Sequence, residues 1–206
     1  MYITMRLAAP LLLLAMLAWP ADAQTPRTGP ARVRTYTYFI EDGVSVDGFK
    51  PADRELASWA LQAWERSAGG TLRFVPVPAA SPRIRIKWVS PREGQYGETV
   101  WTRGRRAVTV YIRPDTESLG PAIAEASRLD PLLRDSIVYL TCLHELGHAL
   151  GLAHTADERD IMYSFQFGGD VRAFFYRYRD QIKRRTEIAT TSGLSSNDID
   201  RIRGQR

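Results

Sequence analysis

The chain has 206 residues, with 28 Lys and Arg against 23 Asp and Glu for a formal net charge of +5, and a single cysteine. One cysteine excludes an intrachain disulfide, so packing must hold the fold, and the length suits one domain with a full core. The positive charge reads as a solvated basic surface in preference to a nucleic-acid-binding face.

Residues 1–23 carry an early positive charge at Arg6, an apolar run over residues 7–19 and a small-x-small ending at Ala21 and Ala23. That is the pattern of a secretory signal peptide. The run is shorter than the ~20 apolar residues of a spanning helix and no second run follows. The mature chain is therefore expected to be secreted or periplasmic, with no membrane span. Residues 24–34, rich in Pro, Gly and Arg, read as a short extended leader, and residues 35–206 as one domain.

Within that domain TYTYFI (35–40) is β-branched and aromatic, a strand. EDGVSVDG (41–48) follows as loop. Over residues 51–67, Leu56, Trp59, Ala60, Ala63 and Trp64 recur at helical spacing, with Gly69 and Gly70 as the stop. TLRFVPV (71–77) and RIRIKWV (83–89) are further strands, the second with Ile84, Ile86 and Trp88 on one face and Arg85 and Lys87 on the other. GETVWTR (97–103) and AVTVYIR (107–113) complete five, joined by a turn at Gly104. Residues 114–130 look less regular. A long helix should then begin with Asp130 as cap and Pro131 in the first turn, and run to about Leu150. The expected class is α+β, a twisted mixed five-stranded sheet with two long helices and a shorter C-terminal helix.

All three histidines fall within HELGHALGLAH, residues 144–154, at the end of that helix. His144 and His148, four apart, stand on one helical face about 5.4 Å apart, where two imidazoles can share an ion. Glu145 projects about 100° away, close enough to reach a water on that ion without being a ligand. Gly151 can take the left-handed conformation that ends a helix, and the reversal brings His154 to the pair. Three neutral imidazoles leave the fourth position of one tetrahedral zinc ion open, as in a catalytic site. Five specified positions have a chance probability of about one in three million per window.

HExxHxxGxxH followed by a methionine turn, here DIMYS with Met162, resembles the metzincin clan of zinc endopeptidases. ALQAWERSAGGTLRF, RIRIKW and LSSNDIDRIR resemble the matrixin family within it. The resemblance implies a metzincin-like fold. It implies a peptidase acting on protein or peptide substrates, in which a water on the zinc is activated by Glu145, and in which Met162 lies beneath the three imidazoles. Read alone, Met162 is ordinary core packing. Asp198, three residues after the cap Ser195, would by that resemblance tie the last helix to the methionine turn; read alone, it marks a solvated helix start. A monomer is expected, without nucleic acid. Two other readings stay open: a zinc hydrolase of non-peptide amides, and a basic binding protein that retains a zinc site.

The sequence also departs from the family. Thr155 stands where matrixins commonly have serine, and Tyr163 directly follows Met162, so no tyrosine is placed to reach the metal. No histidine remains for a second zinc, and no cysteine precedes the domain. Cys142 reads as a small core residue. Residues 165–193 are longer than the family usually allows. Phe174, Phe175, Tyr176 and Tyr178, interleaved with Arg172, Arg177 and Arg179, suit an amphipathic helix packed on the domain, a wall of the substrate cleft, or a nucleic-acid contact.

Overall fold

The computed structural model describes residues 33–90 and 96–205, and no helix among them is long and apolar enough to cross a membrane. The signal segment and the leader up to residue 32 lie outside the described residues. Five strands form one sheet: β1 (Arg34–Ile40), β2 (Leu72–Pro76), β3 (Ile84–Trp88), β4 (Gly97–Trp101) and β5 (Val108–Ile112). Their order is β2-β1-β3-β5-β4, with β4 antiparallel at one edge and the other pairs parallel. Arg34, read as leader, opens β1 and donates to Gln205 and to the Ile202 carbonyl.

The alternation read from RIRIKWV is the alternation observed. Ile84, Ile86 and Trp88 are buried with Val108, Val110 and Ile112, while Lys87 is exposed. The two long helices, α1 (Asp53–Ser67) and α3 (Pro131–Ala149), pack against each other and against the sheet. The fully buried Trp64 fixes their register by donating its indole N–H to the Leu143 carbonyl at 2.9 Å. At the other end Arg134 of α3 pairs with the buried Asp53 and also donates to the carbonyls of Gly48 and Pro114, so that this internal charge is matched.

One expectation needs correction. Within residues 114–130, α2 (Pro121–Leu129) is helical, with Pro121 in its first turn after Gly120 at φ 96°. It buries Ile123, Ala124 and Ser127, and with one bulky apolar residue among the three its periodicity is faint. The C-terminal part adds α4 (Val171–Arg179) and α5 (Ser196–Gly204). Cys142 is a free, fully buried thiol in the core.

Candidate metal centre

Both ends of α3 are fixed locally. At the start, the Asp130 carboxylate accepts from the N–H groups of Leu132 and Leu133. At the end, Gly151 sits at φ 93°, its N–H donates to the His148 carbonyl, and the Leu152 N–H donates to the Gly147 carbonyl. This pair of bonds closes a helix through a left-handed residue. The chain reverses there, and His154 returns to the face that carries His144 and His148.

The three Nε2 atoms converge: His154 lies 3.3 Å from His144 and 3.0 Å from His148. His144 Nδ1 sits 2.6 Å from the Ile161 carbonyl and His148 Nδ1 sits 2.8 Å from the Leu152 carbonyl. A carbonyl only accepts, so each Nδ1 carries the hydrogen and each Nε2 turns a lone pair to the cluster. A cation among the three nitrogens would be faced by these two lone pairs and, with His154 in the tautomer protonated on Nδ1, by a third. Two imidazole nitrogens bound to one tetrahedral zinc lie about 3.3 Å apart, so the donor set fits that ion. Burial pushes the His144 pKa down to about 4, with His148 and His154 adding to the fall and the bond to Ile161 opposing it. Burial also lowers His148 and His154. All three are neutral near pH 7, the form that binds a metal.

Glu145 is buried beside this cluster, and Thr99 on β4 donates its hydroxyl to it, 2.7 Å from Oε2 and 2.9 Å from the main-chain oxygen. Burial pushes the Glu145 carboxyl up to about 7; Thr99 opposes the rise and Glu98 adds to it. Met162 is fully buried against Gly147, in the turn of α3 between the two histidines. A Cβ at Gly147 would collide with the Met162 sulfur and lie 3.2 Å from the Trp64 ring. The methionine turn is pinned from two sides. Thr155 N–H donates to the Met162 carbonyl, and Asp198 Oδ2 accepts from the Ile161 N–H at 2.8 Å while it also closes the capping box with Ser195. Asp198 therefore both caps α5 and ties it to the turn.

A cleft of about 880 Å³ runs over these groups. Gly97 and Thr99 of the edge strand border it on one side, and Tyr163, Phe165, Phe174 and Phe175 on the other. These four rings form a chain of edge-to-face contacts with centroids 5.3, 5.3 and 5.4 Å apart. Two of the readings of residues 165–193 thus coincide: α4 buries Phe174, Phe175 and Tyr178, and the two phenylalanines also line the cleft. Its arginines are engaged within the chain. Arg172 lies over Tyr176, Arg177 over Phe174, and Arg179 pairs with Asp130. Sequence reasoning missed Thr99, Gly97 and Gly147, whose importance arises from neighbours on other elements.

A three-histidine centre able to hold one metal ion, at the end of a helix packed under a mixed sheet with an antiparallel edge, defines the class of this α+β protein. The family model described as Matrixin matches residues 32–176, and the chain belongs to the matrixin family. Matrix metalloproteinase-20 of Homo sapiens is 30% identical over 106 residues, 50% of this chain and 21% of that protein. The chain thus spans about a fifth of the length of that curated relative. Among solved structures, myroilysin is similar at 15% identity and a TM-score of 0.39, over 80% of this chain and 70% of that one. Archaemetzincin from Methanopyrus kandleri is similar at 13% identity and a TM-score of 0.40, over 86% and 96%.

Proposed function

We propose that this chain is a secreted zinc endopeptidase, with His144, His148 and His154 as ligands of one zinc ion and Glu145 as general base. The observation that carries the reading is the buried Glu145 carboxyl beside three converging Nε2 atoms, on the floor of a cleft bordered by a sheet edge. A zinc ion held by the three histidines supplies Lewis acidity toward the scissile carbonyl and acidifies the attacking water.

The rest falls to the chain's own residues. Glu145 takes the water's proton on its carboxylate and passes a proton to the leaving amine, base and then acid within one turnover. The substrate would bind by strand addition at β4. Thr102 N–H donates to the Ala107 carbonyl and Arg113 N–H to the Tyr96 carbonyl, which sets the phase of the ladder. In that phase the main-chain groups of residues 98 and 100 turn to β5, and those of Gly97 and Thr99 turn to the open edge. An extended peptide pairs there and sends a side chain into the cleft against Phe165 and Phe174.

The test is incubation of the purified protein with a diverse peptide library, with and without chelator, and identification of the products. Chelator-sensitive cleavage within peptides is expected. Hydrolysis of simple amides with every peptide left intact would replace the reading with that of a non-peptide hydrolase.

A further inference from the structure

The edge strand does more than border the cleft. Along β4, Glu98 and Val100 are exposed, while Gly97 and Thr99 point inward to α3, where both meet Glu145. Thr99 holds one carboxylate oxygen, with Oγ1 at 2.7 Å from Oε2. The other oxygen lies against Gly97: a Cβ at that position would stand 2.6 Å from Oε1 and 2.8 Å from Cγ. A side chain with three rotatable bonds is thus fixed by a hydrogen bond on one oxygen and by contact on the other, both from one strand.

We infer that Thr99, with Gly97 beside it, is the positioning residue of the general base, and that the strand offered to the peptide also sets where the base stands. This rests on the role proposed for Glu145. The hydroxyl has two acceptors within reach, Oε2 and the main-chain oxygen of Glu145 at 2.9 Å. While Glu145 is a carboxylate, Thr99 donates to Oε2. When the carboxyl has taken the water's proton, the Thr99 hydroxyl can keep its bond to Oε2 or turn to the main-chain oxygen, and the new O–H is left free for the leaving amine. The carboxyl group keeps its place in both halves of the cycle, with no heavy atom moved. The coupling to substrate follows from the ladder, since Gly97 and Thr99 are also residues whose main-chain groups face the open edge.

The experiment compares Thr99→Val, which keeps the shape and removes the hydroxyl, with Thr99→Ser, which restores it, in the zinc-loaded protein. Loss of a hydrogen bond to a charged group should lower kcat about tenfold for Thr99→Val with KM within about twofold, and Thr99→Ser should recover most of that loss. Gly97→Ala, which displaces the carboxyl group, should likewise lower kcat. A readout independent of turnover uses the metal-free protein. Thr99→Val and Glu145→Ala, singly and together, should couple by about fivefold in the folding equilibrium constant, and Glu145→Ala should relieve any instability caused by Gly97→Ala. Wild-type kcat in Thr99→Val, while Glu145→Ala is inactive, overturns the inference and leaves the general base standing. Additive stabilities overturn it as well. Activity retained in Glu145→Ala would instead remove the reading of Glu145 as base, and the coupling in metal-free protein would still judge the clamp.

Discussion

The end of α3 and the 165–193 segment form the floor and one wall of the same cleft, and they constrain sequence in opposite ways. On α3 each position accepts one residue type. His144 and His148 must be four apart with Nδ1–H on a carbonyl, Gly147 must lack a Cβ to admit Met162, and Gly151 must take φ 93°. On α4 the requirement is bulk. Phe174 and Phe175 fill space between the core and the cleft, and any large apolar side chain of suitable shape would bury similar area. Chemistry fixes identities, whereas a wall fixes volume. Loss on the first side should abolish turnover, and loss on the second should redirect it.

The sharpest form of that contrast is metal. His154→Ala leaves two imidazoles where three converge, and should abolish tight zinc binding and with it all hydrolysis; one zinc per chain is expected in the parent protein by elemental analysis. Two zincs in the parent, or one firmly held in His154→Ala, would break the assignment. Next in size is Glu145→Ala, which should keep the zinc and the fold and lose about a hundred- to ten-thousand-fold in kcat. Near-normal turnover would move the base elsewhere.

This asymmetry also governs what could be read from the sequence. The histidine triad and its helix were legible because helical spacing alone places His144 and His148, and Asp130 and Gly151 mark the ends with capping chemistry. Five strands were legible because β-branched and aromatic residues alternate. α2 was not, since Pro121 and Gly120 look like loop residues until the proline is seen to occupy the first helical turn. Thr99 and Gly97 left no local signal: they lie 46 and 48 residues before Glu145, in a strand of ordinary pattern, and only the sheet's position against α3 brings them to the carboxylate. The tie from Asp198 to Ile161 was reachable only through the family resemblance, because a capping aspartate reads the same with or without a distant partner.

A middle-sized effect tests the wall. Phe174→Ala enlarges the cleft beside His144 and leaves the histidines untouched, so zinc content should hold while the profile of cleaved bonds moves toward larger side chains. An apolar pocket discriminates by about 1 to 3 kcal/mol per methylene, which corresponds to shifted ratios and not to gain or loss of cleavage. An unchanged library profile in a folded Phe174→Ala protein would reduce this wall to packing.

The smallest expected effect lies where the two regions are joined by charge. Asp130 caps α3, and its second oxygen lies 2.6 Å from Arg179 Nε at the end of α4. Burial raises the Asp130 carboxyl, but the Arg179 hydrogen bond, the N–H groups of Leu133 and Leu132 and the Arg179 charge outweigh it and hold the group below its ordinary value. A carboxyl depressed in the folded state contributes stability in full above the unfolded pKa of about 3.9, and the contribution fades as pH falls through the folded pKa. Asp130→Asn keeps an oxygen for the cap and removes the charge. The pair is partly solvated, so the variant should be less stable by under about 1 kcal/mol near pH 7, and the two melting curves should converge in acid. A gap between Asp130→Asn and the parent that stays constant down to acid pH would show that Arg179 holds α4 to α3 by shape alone. The charged tie between the segment and the helix that carries the histidines would then rest on Arg185, whose Nε lies 2.9 Å from Asp135 of α3.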